Sequence, residues 1–208
     1  MARALAERGT MEQRSDPYVR DEIAKTVAAL AAMRDDPRAL EAVTRVAEAC
    51  VAALRGGRKV VFAGNGGSAA DAQHLAAELV GKLCFDRAPL AALSLTTDTS
   101  ILTAVGNDYG YDQVFSRQID AIGAAGDVFI GISTSGRSKN VLRAFAAARA
   151  KGMTTIGMTG GSGGDFPAAC DICLTVPSGE TQKIQEGHIV LGHIFCALVE
   201  RAMFPRAS

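Results

Sequence analysis

Five short, mostly apolar runs alternate with longer helical segments along the chain, and this alternation restricts the fold more than any other feature. The runs are KVVFAG (59–64), LAALSLTT (90–97), GDVFIGIS (126–133), MTTIGMTG (153–160) and ICLTV (172–176). Short buried strands that alternate with helices are typical of a parallel sheet with helices on both faces. We therefore predict an α/β fold, a three-layer sandwich around a five-stranded parallel sheet of the flavodoxin-like kind.

Two further helices are predicted before the first strand. Residues 18–33 and 36–54 follow a helical pattern, and Asp36 is a suitable N-cap with Pro37 in the first helical position. The closing segment, residues 181–204, predicts a long helix that is apolar around much of its circumference. One domain can bury only one stripe of a surface helix. We therefore expect these three helices to pack between subunits of an oligomer.

The length of 208 residues suits one well-buried domain. We expect a single domain over residues 18–208, which includes the two N-terminal helices. Residues 1–17 are expected to form a poorly ordered extension. Met11 is a candidate natural start, in which case residues 1–10 would be an upstream addition.

Charge and hydropathy argue against two classes of partner. Lys plus Arg and Asp plus Glu each number 22, so the formal net charge is zero, and no global positive field attracts nucleic acid or an acidic membrane. No apolar run approaches the roughly 18 residues of a spanning helix. The charged N-terminus also lacks the apolar stretch of a signal peptide. We therefore expect a cytoplasmic protein with no nucleic-acid partner and no membrane partner.

The cysteines give a second argument for a reducing compartment. They are odd in number and lie in apolar segments, which predicts buried thiols: Cys50, Cys84, Cys170, Cys173 and Cys196. Cys170 and Cys173 form the CxxC pair CDIC, which is compatible with zinc or redox chemistry. Because no second pair accompanies it and it borders a strand-like run, we favour a structural role.

The segment GNGGS (64–68) follows the first predicted strand and suits an anion. In open α/β sheets, ligands bind beyond the carboxyl ends of the strands, where helix N-termini present backbone N–H groups. Gly64, Gly66 and Gly67 allow positive φ and close backbone approach, and Ser68 is a candidate helix cap. The spacing matches neither the nucleoside-triphosphate P-loop nor GxGxxG. The alanine-rich helix that follows is expected to extend to about Cys84.

A second candidate loop, STSGRSKN (133–140), follows the third predicted strand. Four hydroxyl side chains surround one glycine at a helix start: Ser133, Thr134, Ser135 and Ser138. One such loop is commonly an ordinary hydroxyl-rich cap. Two loops of this kind after different strands of one sheet favour an anion site.

The three histidines lie in two segments, DAQHLAAE and QEGHIVLGH. His74 and Glu78 are four residues apart and share one face of a helix. This spacing is compatible with a metal site or a proton path, and also with a plain surface contact. In the last helix, Gln185 and His188 share a face. His193 is about 80° around and roughly 12 Å along from Gln185. Spacing alone therefore favours His188, unless the side chains are extended or different subunits contribute.

Taken together, the patterns GNGGSAADAQH…E, GND, STSG.S and IQE.H….H resemble the sedoheptulose-7-phosphate isomerases, or phosphoheptose isomerases, of the sugar isomerase (SIS) fold. The resemblance extends from about residue 18 to residue 204. It implies conversion of D-sedoheptulose 7-phosphate to D-glycero-D-manno-heptose 7-phosphate. This is the first step toward the heptose of bacterial lipopolysaccharide or capsule. It also implies a homotetramer with active sites near subunit interfaces and one zinc ion per subunit.

The resemblance assigns roles residue by residue. Implied substrate contacts are Asn65, Gly66, Gly67, Ser68, Glu78, Asn107, Asp108 and Gln185, with Ser133, Thr134, Ser135 and Ser138 at the phosphate. Implied metal ligands are His74, Glu78, Gln185 and His193, so the family pattern selects His193 over His188. Aldose–ketose isomerisation needs a proton to move between adjacent carbons through an enediol. We expect Glu78 to be the base and His193 the acid.

One position departs from the family pattern: Lys82 stands where several relatives have arginine. Lysine keeps the charge but cannot form the two parallel hydrogen bonds of an arginine.

A rival interpretation is a non-catalytic SIS module that binds a replication initiator protein or senses a sugar phosphate. Such modules lack the complete Glu and final-helix His set, and this chain has both Glu78 and His193. Arabinose-5-phosphate isomerases are a nearer alternative. They usually carry extra regulatory domains, for which we expect no room here.

Overall fold

In a computed structural model, the protein is described over residues 16–205. The predicted start at Met11 and most of the predicted extension lie outside the described residues. The strands are β1 (Val60–Gly64), β2 (Ala92–Ser94), β3 (Val128–Ile132), β4 (Thr154–Gly160) and β5 (Ile172–Val176). The helices are α1 (Pro17–Arg34), α2 (Pro37–Arg55), α3 (Gly67–Val80), α4 (Thr99–Tyr109), α5 (Ser116–Ile122), α6 (Lys139–Ala150), α7 (Phe166–Ala169) and α8 (Thr181–Met203).

All five strands pair in parallel, in the order β2-β1-β3-β4-β5. Every residue of β1 and β3 is buried, because helices cover both faces of the sheet. Phe62 and Ile130 belong to the core beneath α2, α3 and α8, whereas their neighbours Val61 and Phe129 belong to the core beneath α5 and α6. The predicted α/β three-layer sandwich with a five-stranded parallel sheet is confirmed.

Local signals account for the N-terminal helices. Asp16 accepts a hydrogen bond from the Tyr18 N–H at 3.0 Å, and Pro17 follows it as the first residue of α1. Asp36 and Pro37 repeat this arrangement at the start of α2. Proline suits the first helical position, since its missing N–H would have no partner there. The cap predicted at Asp36 is confirmed.

Several local expectations are wrong. The helix after the first loop ends at Val80, not near Cys84, so Lys82 lies beyond it. Ser68 lies inside the first turn of α3, which starts after Gly66, and it does not cap the helix. Cys84 is exposed, contrary to the expectation that all five thiols are buried.

Helices α3 and α8 run side by side in the same direction, and this pairing positions the candidate site. Gly192 is required at one crossing, because a Cβ there would lie 2.5 Å from a methyl group of Leu75. The N-terminal turns of the two helices meet where Gly67 faces Gln185. Between residues 16 and 205, no helix combines the length and apolar character needed to cross a membrane.

Candidate active site

The two predicted anion loops lie at the carboxyl edge of the sheet, after β1 and β3. These strands are neighbours in space, although β2 follows β1 in the chain and pairs on its other side. Strand order therefore reverses between β1 and β3. In parallel α/β sheets, such a reversal opens a crevice that commonly binds ligands.

Glycines allow the loop after β1 to approach its neighbours in the fold closely. Gly66 has φ +56°, a conformation that other residues adopt only with strain. Gly64 and Gly67 do not have positive φ, contrary to expectation. They are needed for space instead, since a Cβ on Gly64 would meet Ser68 and one on Gly67 would collide with the amide of Gln185. The loop therefore presents bare backbone to the crevice.

The loop after β3 gathers three of its four hydroxyl groups around one point, those of Ser133, Ser135 and Ser138. Ser133 Oγ lies 2.8 Å from Ser138 Oγ and 3.4 Å from Ser135 Oγ. Ser135 Oγ also accepts the Arg137 N–H at 3.2 Å. Ser138 is the N-cap residue of α6 but makes no side-chain cap bond, so its hydroxyl stays with the cluster. Converging hydroxyls at the start of a twelve-residue helix are suited to an anion.

Asn107 and Asp108, the predicted sugar contacts, lie in the last turn of α4. Both are exposed, and Asn107 Nδ2 donates to Asp108 Oδ1 at 2.7 Å. The turn that follows α4 connects this region to the glycine loop. The hydroxyl of Tyr111 donates to Asn65 Oδ1 at 3.3 Å.

His74, Glu78 and His193 form a cluster between α3 and α8. His74 Nε2 lies 3.0 Å from Glu78 Oε1 and 2.9 Å from His193 Nε2. Among residues 16–205, this is the only group of three or more His, Cys, Asp or Glu whose potential ligand atoms all lie within 4.8 Å of one another. The cluster is open to solvent, with the His74 side chain 47% exposed and that of Glu78 18% exposed.

The donor atoms of this cluster fit a zinc ion. Two imidazole nitrogens and one carboxylate oxygen are ligands that zinc accepts readily. The two nitrogens that face each other at 2.9 Å can share one proton or one cation, but they repel when both carry lone pairs. This geometry also shows that His193 meets His74 and Glu78 within one chain.

The preference for His188 from spacing alone is wrong. His188 is completely buried, and its Nε2 faces the carbonyl oxygen of Thr159 at 3.1 Å. Burial lowers the pKa of His188 to about 4. Its side chain points toward β4, because it lies five positions before His193 and therefore on another face of α8.

Gln185 lies two helical turns before His193, against Gly67 in the first turn of α3. The structure thus places its amide beside the glycine loop. Its role as a fourth metal ligand remains a prediction.

The CDIC pair lies apart from this site, at the entry to β5. Cys170 is buried, and its thiol lies 3.1 Å from the Phe166 carbonyl oxygen and 3.2 Å from that of Ile172. A Cβ on Gly157 would lie 2.9 Å from Cys170 Sγ, so the sulfur fills the space left by that glycine. These contacts support the structural interpretation.

Sequence reasoning missed two polar residues at the site. Asn140 is 4% exposed and hydrogen-bonds to Asn65. It stands in the STSGRSKN segment, where the prediction of an anion site rests on the hydroxyl side chains alone. Asp71 lies one turn before His74, with a buried Oδ2 that has no partner among the described residues, and burial raises the pKa of this carboxyl to about 6.

Comparison with known proteins identifies the family of this chain. Residues 23–160 match the SIS domain family. The chain is 57% identical over 194 residues to phosphoheptose isomerase from Burkholderia pseudomallei (strain 1710b), a match covering 93% of this chain and 98% of that protein.

Two solved structures give the same result. One is a phosphoheptose isomerase from Neisseria gonorrhoeae, with a TM-score of 0.83 and 44% identity over 88% of this chain and 97% of that chain. The other is a phosphoheptose isomerase from Francisella tularensis, with a TM-score of 0.85 and 35% identity over 89% of this chain and 97% of that chain. The chain therefore belongs to the SIS domain family and, within it, to the phosphoheptose isomerases.

Proposed function

We propose that this chain converts D-sedoheptulose 7-phosphate to D-glycero-D-manno-heptose 7-phosphate, as an aldose–ketose isomerase. The observation that carries the proposal is the cluster of Glu78, His74 and His193, whose potential ligand atoms lie within 4.8 Å of one another. It provides a carboxylate and an imidazole at one place. Both are groups that transfer protons efficiently near neutral pH.

The distance between the cluster and the glycine loop fits a phosphorylated sugar. Gly67 begins α3 and His74 lies seven residues later, roughly 10 Å along the helix. A seven-carbon chain can place its phosphate at the hydroxyl loop and its first two carbons near Glu78. Binding energy from the distant phosphate would then orient the reacting end.

The proposed reaction moves one proton between adjacent carbons. Glu78 takes the proton from C1 of the ketose and returns it to C2, so that an enediol forms between the two steps. His193 moves a proton between the two oxygens, giving one to the C2 carbonyl oxygen and taking one from the C1 hydroxyl. Glu78 and His193 lie on different helices, which allows them to act on carbon and oxygen separately.

We propose one zinc ion per subunit, held by His74, Glu78, Gln185 and His193. When bound, the ion would polarise the oxygens of the reacting carbons. The support is the donor set of the cluster and its exposure to solvent. The Gln185 amide would contribute from the first turns of α8.

We propose a homotetramer. The apolar side chains of α1 support it, because four of them are more than half exposed: Tyr18 at 64%, Val19 at 51%, Ile23 at 61% and Val27 at 60%. Val19, Ile23 and Val27 are spaced by four residues and so share one face of α1, and an exposed apolar face marks an interaction site. Light scattering at micromolar concentration should give four times the chain mass of 21.6 kDa, whereas a monomer mass would contradict the proposal.

In the cell, we propose that the enzyme acts in the cytoplasm, as a single domain over residues 18–208. It would supply heptose phosphate for lipopolysaccharide or capsule.

Incubation with sedoheptulose 7-phosphate, followed by NMR for the aldose product, tests the function directly. Arabinose 5-phosphate is the matched control substrate. Turnover of the control alone, or of neither sugar, would contradict the proposal.

A further inference from the structure

We infer that Asn140 is a positioning residue that fixes the side-chain amide of Asn65, so that this side chain presents its one free N–H donor to the sugar phosphate. The inference rests on the proposed function, in which Asn65 contacts the substrate. It adds a residue outside the glycine and hydroxyl motifs.

The two asparagines form a reciprocal amide pair. Asn65 Nδ2 donates to Asn140 Oδ1 at 3.0 Å, and Asn140 Nδ2 donates to Asn65 Oδ1 at 2.9 Å. Asn140 is 4% exposed and lies in the first turn of α6, so the pair is shielded from water on one side. It joins the loop after β1 to the helix after β3 across the crevice.

A backbone contact determines which way both amides point. The N–H of Val141 donates to Asn140 Oδ1 at 3.0 Å, and a flipped Asn140 would place an NH₂ group against that donor. Asn140 Nδ2 must therefore face Asn65, and it requires the oxygen of Asn65 as its acceptor. The orientation of Asn65 follows from that of Asn140.

The hydrogen-bond inventory of Asn65 leaves one group free. Its Oδ1 already accepts from Asn140 Nδ2 and from the Tyr111 hydroxyl, at 2.9 and 3.3 Å. One of its two Nδ2 hydrogens is used by Asn140. The remaining N–H is a donor, and it suits a phosphate or hydroxyl oxygen of the ligand. Without Asn140, the amide of Asn65 could rotate and present its oxygen instead.

A double-mutant cycle on kcat/KM separates positioning from general support of the fold. Asn65→Ala should lower kcat/KM roughly tenfold or more, the usual cost of a lost hydrogen bond to a charged ligand. Asn140→Ala should lower it by a similar factor in the wild-type background and less than about twofold in the Asn65→Ala background. Equal losses in both backgrounds would overturn the inference.

Asn140→Asp covers the case in which the alanine variant folds poorly. Aspartate keeps the shape and the acceptor for the Val141 N–H, but it places a carboxylate oxygen against Asn65 Oδ1. It should lower kcat/KM by at least as much as Asn140→Ala, again only when Asn65 is present. Wild-type kcat/KM in Asn140→Asp would overturn the inference.

Gln118→Ala is the matched control. Gln118 is another buried amide, 8% exposed, and it donates to the carbonyl oxygens of Leu95 and Val114 away from the crevice. This variant should lower the Tm while leaving kcat/KM within about twofold, whereas a loss comparable to that of Asn140→Ala would overturn the inference by showing that any buried amide acts alike. An unchanged kcat/KM in Asn65→Ala, with the wild type active, would contradict the proposed role of Asn65 itself.

Discussion

Helices α3 and α8 bring a carboxylate and nitrogen groups together at two places, and the two places are built in opposite ways. One is the cluster of His74, Glu78 and His193. The other lies about two turns further along α8, where Glu200 meets Arg87 just beyond the end of α3. We call the first the open cluster and the second the closed pair.

In the closed pair, the charged groups are buried and supplied with partners. The side chains of Arg87 and Glu200 are 2% and 0% exposed. Glu200 accepts from the backbone N–H groups of Leu83 and Cys84, at 3.1 and 2.7 Å, and from Arg87 Nε at 3.1 Å. Burial raises the pKa of Glu200, but these hydrogen bonds outweigh it, so its pKa lies below the ordinary value.

Arg87 completes this arrangement on the other side. Its guanidinium donates to the carbonyl oxygens of Leu79 at 2.7 Å and Glu78 at 2.8 Å. Carbonyls in the last turn of a helix have no partner within it. The closed pair therefore ties the end of α3 to α8.

The open cluster has more lone pairs than protons to share among them. Two imidazole nitrogens and a carboxylate oxygen converge there, and half of the His74 side chain is exposed. A buried charge that is fully paired stabilises one arrangement of the chain. Polar atoms that converge without enough donors, and that solvent can reach, are available to a ligand or a reacting proton.

The largest effect is expected in the open cluster. Glu78→Gln keeps the shape but removes the proton acceptor, so turnover should fall by roughly two to four orders of magnitude. His193→Gln should act similarly, and thermal unfolding should show that both variants fold. Near-normal turnover in folded Glu78→Gln would require another base.

Substitutions in the closed pair should change the stability of the fold rather than the rate of the reaction. Glu200→Gln leaves Arg87 buried without its counter-charge, which should cost about 3 kcal/mol of unfolding free energy. Urea titration at fixed protein concentration measures this. The double variant Arg87→Met/Glu200→Leu, which removes both charges, should recover most of the loss. A double variant that is no more stable than Glu200→Gln would contradict the account of a closed, compensated pair.

The closed pair also predicts a pH dependence. Because the pKa of Glu200 is lowered from 4.5 in the folded protein, its contribution to stability is fully present above that pH. The contribution is lost as the pH falls through the folded pKa. The difference in unfolding free energy between the wild type and Glu200→Gln should therefore shrink below about pH 4.5. A difference that stays constant down to pH 3 would contradict it.

Metal affinity should depend on the open cluster and not on the CDIC pair. His74→Ala should reduce bound zinc from about one ion per chain to a small fraction of that, measured after purification without chelator or nickel resin. Cys170→Ser is the control, because that thiol contacts backbone carbonyls near β5. Unchanged zinc in His74→Ala, or its loss in Cys170→Ser, would place the metal elsewhere.

The smallest effect is expected at the hydroxyl loop. Ser135→Ala removes a group that would touch the phosphate in the ground state and transition state alike. KM should therefore rise about fivefold to tenfold with kcat nearly unchanged. Ser116→Ala, in α5, is the matched control and should alter neither constant. An equal fall in kcat and kcat/KM for Ser135→Ala would contradict a purely binding role.

The sequence by itself determined the features that depend on near neighbours in the chain. Five buried runs between helices predicted the parallel sheet, and Asp36 followed by Pro37 predicted the start of α2. The positions of the two loops after β1 and β3 could likewise be predicted from the sequence. In each case the signal, a short apolar run or a local hydrogen bond, lies within a few residues of the chain.

Only the tertiary structure decided which polar groups meet across the fold. His193 lies 119 residues from its partner His74, and Asn140 lies 75 residues from Asn65. His188 and His193 differ in the sequence only by position, yet the rotation of α8 against α3 buries one and turns the other to the open cluster. That rotation is set by side-chain packing such as Leu75 against Gly192, which no local pattern records.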